Sequence, residues 1–193
     1  MIQPIYVYDQ QILVQKCLDI PHDLPILPNL ILDLWDTMRN AQGCGLSAPQ
    51  IGLPYNVFVI DSQNAFQAIG KGFRKRYFDT EDKGIQEIFI NPQLLEVSSK
   101  MWKAEEGCLS LPSLIKEVSR PWLIKISYYN EQLEHHVQEF SGLTARMILH
   151  ELDHTKGILL INHMGVFTKK YLYFKLKSIK KGRVKVSYPI STR

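Results

Sequence analysis

Apolar positions in this chain follow two rhythms. Between residues 29 and 42, Leu30, Leu34, Trp35 and Met38 recur at helical spacing and predict an amphipathic helix that ends at Gly43. Residues 141–157 repeat that spacing with Leu143, Met147, Ile148 and Leu152, Ser141 standing where a cap belongs and Gly157 where a helix stops. Residues 169–181 alternate lysines with Tyr171, Leu172, Phe174, Leu176 and Ile179, which predicts a third helix with an apolar docking side and a basic side. Strands are predicted at residues 55–61, at 87–91 and 94–98 paired around Pro92, and at 123–129 and 136–140 joined across 130–134. Residues 4–9 and 12–14 read as short extended pieces, 63–84 as a long polar surface loop, and 182–193 as a short strand or loose tail. Short strands around a few helices, without regular βαβ alternation, predict an α+β fold in a single domain over residues 1–193.

Charge adds an asymmetry to this outline. The net charge is +4, yet residues 155–193 hold ten Lys and Arg and no Asp or Glu, leaving 13 basic against 19 acidic residues, net −6, before them. A basic segment from about 167 to 193 on an acidic body points to an anionic partner, nucleic acid above all, or to a solvated tail without one. Three cysteines, Cys17, Cys44 and Cys108, are too few and odd in number for a disulfide framework and fit a reducing compartment. The N-terminus has no signal or transit pattern and no run of eighteen apolar residues occurs, so the expected location is cytoplasmic.

The chemistry concentrates at His150-Glu151-Leu152-Asp153-His154 in the second predicted helix. Histidines at i and i+4 project from one helical face, with Glu151 beside them, which is half a metal site with a carboxylate in reach. Two surface histidines are the plain alternative, but Leu149 and Leu152 set the pair in an apolar stretch where unpartnered imidazoles are unfavourable. The longer peptidase pattern continues through Gly157 and then has Leu160 in place of a third histidine, and no acidic residue follows Asp153. His163 is an off-pattern candidate. The remaining ligand is therefore sought upstream, where Cys108, preceded by Gly107, offers a soft thiolate, unless it is simply a buried core cysteine. A second notable run, residues 43–52, is rich in small residues; it is too glycine-rich for a stable helix, permits close backbone approach and lacks the lysine of a phosphate-binding loop.

Three ordered motifs, Gly-x-Gly-x-Ser-Ala-Pro-Gln ending at Gln50, Glu-Gly-Cys-Leu-Ser around Cys108, and His-Glu-x-Asp-His from His150, together resemble the peptide deformylase family. The resemblance runs from Met1 to about Lys181. It implies that Cys108, His150 and His154 bind one divalent metal, ferrous iron in the cell with zinc, nickel or cobalt able to replace it in purified protein. It implies that Glu151 is the general acid/base, that Gln50 through its amide and Leu109 through its N–H hold the oxyanion, and that Gly45 pairs with the substrate main chain. Leu143 and Met147, with Cys44 nearby, would line a slot for methionine. The implied reaction removes the formyl group from N-formylmethionyl nascent peptides, releasing formate. The basic C-terminal helix would contact the ribosome, and no membrane or DNA partner is implied. Short antiparallel sheets are then expected around a central metal-binding helix that carries the histidines.

Ser47, Leu149 and Thr155 depart from the family's usual alanine, glutamine and leucine, and none of them is a ligand or the base. Arg120 is expected to pair with Asp153, because a buried carboxylate next to a ligating histidine needs a partner. Two rivals stand beside this reading: a peptidase that cleaves internal bonds, and an inactive relative with a structural metal and a binding tail.

Overall fold

The structure, a computed structural model, describes residues 1–21 and 23–192. In chain order it contains β1 (Ile5–Tyr6), α1 (Leu27–Asn40), β2 (Gly45–Ser47), β3 (Val57–Asp61), α2 (Ser62–Ala68), β4 (Gln86–Val97), β5 (Met101–Gly107), β6 (Ile115–Pro121), β7 (Leu123–Tyr129), β8 (His135–Ser141), α3 (Gly142–Thr155), α4 (Val166–Tyr171), α5 (Tyr173–Lys180) and β9 (Ile190–Ser191). The fold is α+β. Strands β2, β3, β4, β7 and β8 form an antiparallel sheet in that order, β5 and β6 a separate antiparallel hairpin, and β1 pairs in parallel with β9.

Alternation along β3 explains how the main sheet carries a helix on each face. Val57 and Val59 join Leu30, Ile31, Leu34 and Met38 of α1 in one buried cluster, while Phe58 and Ile60 join Ala145, Ile148, Leu149 and Leu152 of α3 in another. Successive side chains of a strand point to opposite faces, so a strand covered on both faces is apolar throughout. A third cluster gathers Val7, Leu13, Leu111, Leu114, Leu159 and Leu160 with Leu172, Leu176 and Ile179 from the C-terminal helices. No helix among the described residues is long and apolar enough to cross a membrane.

Several elements differ from the pattern-based expectation, each for a local reason. Residues 12–14 are not extended: Gln11–Leu13 forms a 3-10 turn. The two strands expected around Pro92 are one strand, β4, whose register with β7 shifts between Ile90 and Gln93. Asn91 takes a left-handed backbone (φ 50°) there, and its side chain bonds both the N–H and the C=O of Ile20 at 2.7 and 2.8 Å, so the strand survives a residue that lacks an amide hydrogen. The 63–84 segment is not plain loop. It holds most of α2 and a 3-10 turn at Lys71–Arg76, pinned by buried Phe78, which packs edge-on against Phe66 at 5.2 Å. The third predicted helix is broken at Leu172 into α4 and α5, and Tyr171 and Phe174, expected on the docking side, face solvent instead.

Helix α3 starts in an unexpected way. Ser141 occupies the cap position but makes no side-chain capping bond. Carbonyls from elsewhere take the first amides: Gly142 donates to Trp122 O at 2.7 Å and Leu143 to Tyr77 O at 2.6 Å. Gly142 has φ +54°, and a Cβ there would lie 2.1 Å from Tyr77 O. Only glycine fits this position. Gly142→Ala is therefore expected to destabilise the protein by at least about 1–3 kcal/mol from backbone strain, measured by urea unfolding. Gly72→Ala, where a Cβ meets nothing within 4 Å, should stay within about 0.5 kcal/mol of wild type.

Candidate metal centre

Helical spacing places His150 and His154 one turn apart on α3, their ring centroids 5.1 Å apart. Cys108 follows the last residue of β5, and its Sγ lies 3.2 Å from His154 Nε2. One donor atom from each of these three residues falls within a 4.8 Å group. Burial pushes the Cys108 thiol up, but His154 and His150 beside it outweigh burial and bring it down to about 5, so a thiolate is favoured at neutral pH. His163 is not in the group; its Nε2 lies 2.8 Å from Asp153 Oδ2.

One thiolate and two imidazoles suit a divalent transition metal, and three protein donors leave a position open for chemistry. The surroundings fit the same group. His150 Nδ1 bonds Glu106 Oε2 at 3.0 Å, which orients the ring and turns Nε2 to the Cys108 side. Glu151 is buried, and its Oε2 has no protein partner. Burial raises its pKa against the opposing pull of both histidines. A buried carboxylate oxygen without a hydrogen bond is unfavourable unless a nearby ion or water completes its surroundings.

Around the three donors the chain forms a cleft of about 420 Å³. Of the residues singled out in the sequence, Cys44, Gly45, Gln50, Cys108, Leu109, Leu143, Met147, His150 and Glu151 all line it, and His154 is buried against Cys108. The glycine at 45 has a close neighbour: a Cβ there would lie 2.7 Å from Glu151 Oε1, so its smallness makes room for that carboxylate. Gln50 is fixed by Ser47, whose N–H and hydroxyl both donate to Gln50 Oε1, at 2.9 and 2.8 Å. Its amide nitrogen is thereby turned away from Ser47; one N–H reaches Ser110 Oγ at 3.2 Å, and an amide nitrogen carries two. Of the other departures from the family pattern, Leu149 packs in the core and Thr155 bonds Leu152 O.

The expected pair of Arg120 and Asp153 is present at 2.9 Å, within a larger network. Glu106 accepts from Arg120 Nε (2.7 Å) and Nη2 (3.0 Å), from Arg146 Nη1 (2.6 Å) and from His150. Burial would raise Glu106, but His150 and Arg120 hold it well below the ordinary carboxylate range. Arg146, itself buried, also donates to the carbonyls of Val118 and Trp102 and stacks on the Trp102 ring at 4.2 Å. Sequence reasoning missed Glu106 and Arg146. A signal for the second existed, since Arg146 stands four residues before His150 on the same helical face. Tyr188, read as part of a short strand or loose tail, also lines the cleft, and burial followed by the nearby Cys108 pushes its hydroxyl up to about 12, so it keeps its proton.

Comparison with known proteins gives one family. The polypeptide deformylase family model matches residues 2–170. A peptide deformylase of Christiangramia forsetii is 40% identical over 190 residues, covering 97% of this chain and 94% of that protein. That of Cytophaga hutchinsonii is 37% identical over 97% of this chain and 96% of its own. Among solved structures, a plant peptide deformylase superposes with a TM-score of 0.78 at 29% identity, covering 99% and 96% of the two chains. The fold is also that of the Ehrlichia chaffeensis peptide deformylase crystal structure, at a TM-score of 0.80 and 24% identity over 95% and 97%.

The Glu106 network predicts a specific defect. Glu106→Gln leaves two buried guanidinium groups without their shared counter-charge, and is expected to destabilise the protein by about 3–5 kcal/mol in urea unfolding. Loss of the carboxylate behind His150 should weaken metal affinity by about 10- to 100-fold in chelator competition.

Proposed function

The chain belongs to the polypeptide deformylase family, and from that membership we propose that it hydrolyses the N-formyl group of N-formylmethionyl nascent peptides in a metal-dependent reaction. The observation that carries this reading is the buried Glu151 carboxylate, its Oε2 without a partner, beside Cys108, His150 and His154. A merely structural metal has no use for it. In this reading those three residues hold one divalent ion, ferrous iron in the cell and zinc, nickel or cobalt in exchanged protein. Such an ion supplies Lewis acidity, lowering the pKa of a water from about 16 toward about 7.

The chain's own residues account for the rest. Glu151 takes a proton from the attacking water and returns it to the leaving amine; its raised pKa suits a group that must both accept and donate. Gln50, with its amide oxygen engaged by Ser47, has an N–H for the oxygen on which charge develops, and the Leu109 N–H is the second donor. Strand β2 lies at the edge of the main sheet, so the Gly45 main chain is available to pair with an extended peptide. Leu143, Met147 and Cys44 give the methionine side chain an apolar wall. Residues 1–193 work as one cytoplasmic catalytic unit, and α3 is its metal-binding helix.

The C-terminal helices supply a transient ribosome contact. Lys170, Lys177 and Lys181 are exposed, and so are Phe167, Tyr171 and Phe174, a mixture suited to phosphates and unpaired bases. Leu172, Leu176 and Ile179 anchor the same helices to the body.

Two measurements test these assignments. Protein prepared without oxygen should release formate from formyl-Met-Ala-Ser, and Glu151→Ala at equal metal content should lose at least about a hundredfold in kcat. A wild type inactive with ferrous iron or nickel bound would overturn the catalytic reading. Separately, Lys170→Glu, Lys177→Glu and Lys181→Glu combined should abolish ribosome co-sedimentation at low salt and leave formate release unchanged. Unchanged co-sedimentation would remove the ribosome contact from the assignment.

A further inference from the structure

Residues 182–191, read from sequence as a short strand or a loose tail, end in a short strand and behave as a strap. Their burial alternates: Val184, Val186, Tyr188 and Ile190 are partly buried, while Arg183, Lys185, Ser187 and Pro189 are exposed. Strand β9 at the end of this run pairs with β1, Ile5 N donating to Pro189 O at 2.9 Å and Val7 N to Ser191 O at 3.1 Å. This tether delivers Tyr188 to the wall of the cleft, where its hydroxyl donates to the carbonyl of Leu109 at 2.9 Å. The next carbonyl, Ser110 O, accepts from Tyr8 N at 2.9 Å, and the one before, Cys108 O, accepts from Leu111 N at 2.9 Å. Three consecutive carbonyls are thus held. The Leu109 N–H shares its peptide plane with the Cys108 carbonyl, which Leu111 N holds; the Leu109 carbonyl lies in the next plane, at the centre of the turn this bond closes, so Tyr188 reaches the N–H through the Leu109 Cα and the geometry of that turn.

We propose that Tyr188 is a positioning residue, which through the Leu109 carbonyl aims the Leu109 N–H at the oxygen that gains charge during deformylation. The inference rests on the deformylase reading for its consequence in catalysis and on the hydrogen bonds alone for its consequence in the backbone. Oxyanion donors act through preorganisation, and a small misplacement of a reacting or stabilising group is felt in kcat more than in binding of the ground state. Among the hydrogen bonds of the described residues, that of Tyr188 is the side-chain bond made to the Leu109 carbonyl. Its ring, packed beside the α1 cluster, stays in place when only the hydroxyl is removed.

The test compares wild type with Tyr188→Phe at equal metal content. For formyl-Met-Ala-Ser, kcat is expected to fall about tenfold with KM within twofold of wild type, and the urea midpoint should stay close to that of wild type. In the zinc-loaded protein, amide hydrogen exchange at Leu109 should speed up several-fold while exchange in β3 and β4 stays unchanged. A kcat within twofold of wild type together with unchanged Leu109 exchange overturns the proposal and leaves the deformylase assignment standing. A fall in kcat matched by a lower urea midpoint and faster exchange throughout the sheet also overturns it, as general destabilisation. If wild type itself releases no formate, the deformylase reading fails separately, and Leu109 exchange still decides whether Tyr188 holds that backbone.

Discussion

The carboxylate of Glu106 is the constraint on which the rest of the site depends. It receives donors from Arg120, Arg146 and His150, which arrive from β6 and from two turns of α3. Breaking such a group apart is far more unfavourable than never assembling it, because each partner left behind is a buried charge. Asp153 balances the second arginine of the set through Arg120 and also engages His163. Two anions and two guanidinium groups therefore bolt the β5–β6 hairpin to α3. Cys108 leaves the end of that hairpin, and the histidines ride on that helix, so one ionic cluster sets the separation between the thiol and the imidazoles.

The other half of the site is set by close approach rather than by charge. Helix α3 lies on the sheet with Glu151 against Gly45, and no side chain at position 45 could coexist with the carboxylate where it stands. Ser47 then turns Gln50 by taking up its oxygen with two donors. A short edge strand thus carries three successive tasks within six residues: admitting the carboxylate, orienting an amide and leaving its own backbone open to the cleft.

Much of this was legible in the sequence because the chemistry-bearing residues lie in short motifs, one of them on a single helical face. Cys108, His150, Glu151 and Gln50 line one cleft, and His154 is buried against Cys108. Strands β3, β7 and β8 were readable from their runs of apolar and β-branched residues, and burial alternates along β7 while β3 is buried throughout. The β5–β6 hairpin was not readable by that route, and the reason is physical. Its inward positions include Glu106 and Arg120, which are buried through ion pairing, so a pattern of apolar residues has little to detect. The break at Leu172 escaped for a different reason: propensity favours continuing the helix, whereas the fit of Leu172, Leu176 and Ile179 onto the third cluster is a tertiary matter. Tyr188 was invisible because nothing local announces a contact with Leu109.

That contact has a consequence for how the molecule matures. The parallel pair of β1 and β9 joins the two ends of the described chain, Ile5 to Ile190. Closing so wide a loop rewards the chain only after nearly everything between has ordered, so this is expected to be among the last contacts made and the first to fray. During synthesis Cys108, His150, Glu151 and His154 emerge well ahead of Tyr188. A chain still attached at its growing end can therefore hold its donor set while the backbone at Leu109 waits for its final tether, which arrives with the last strand.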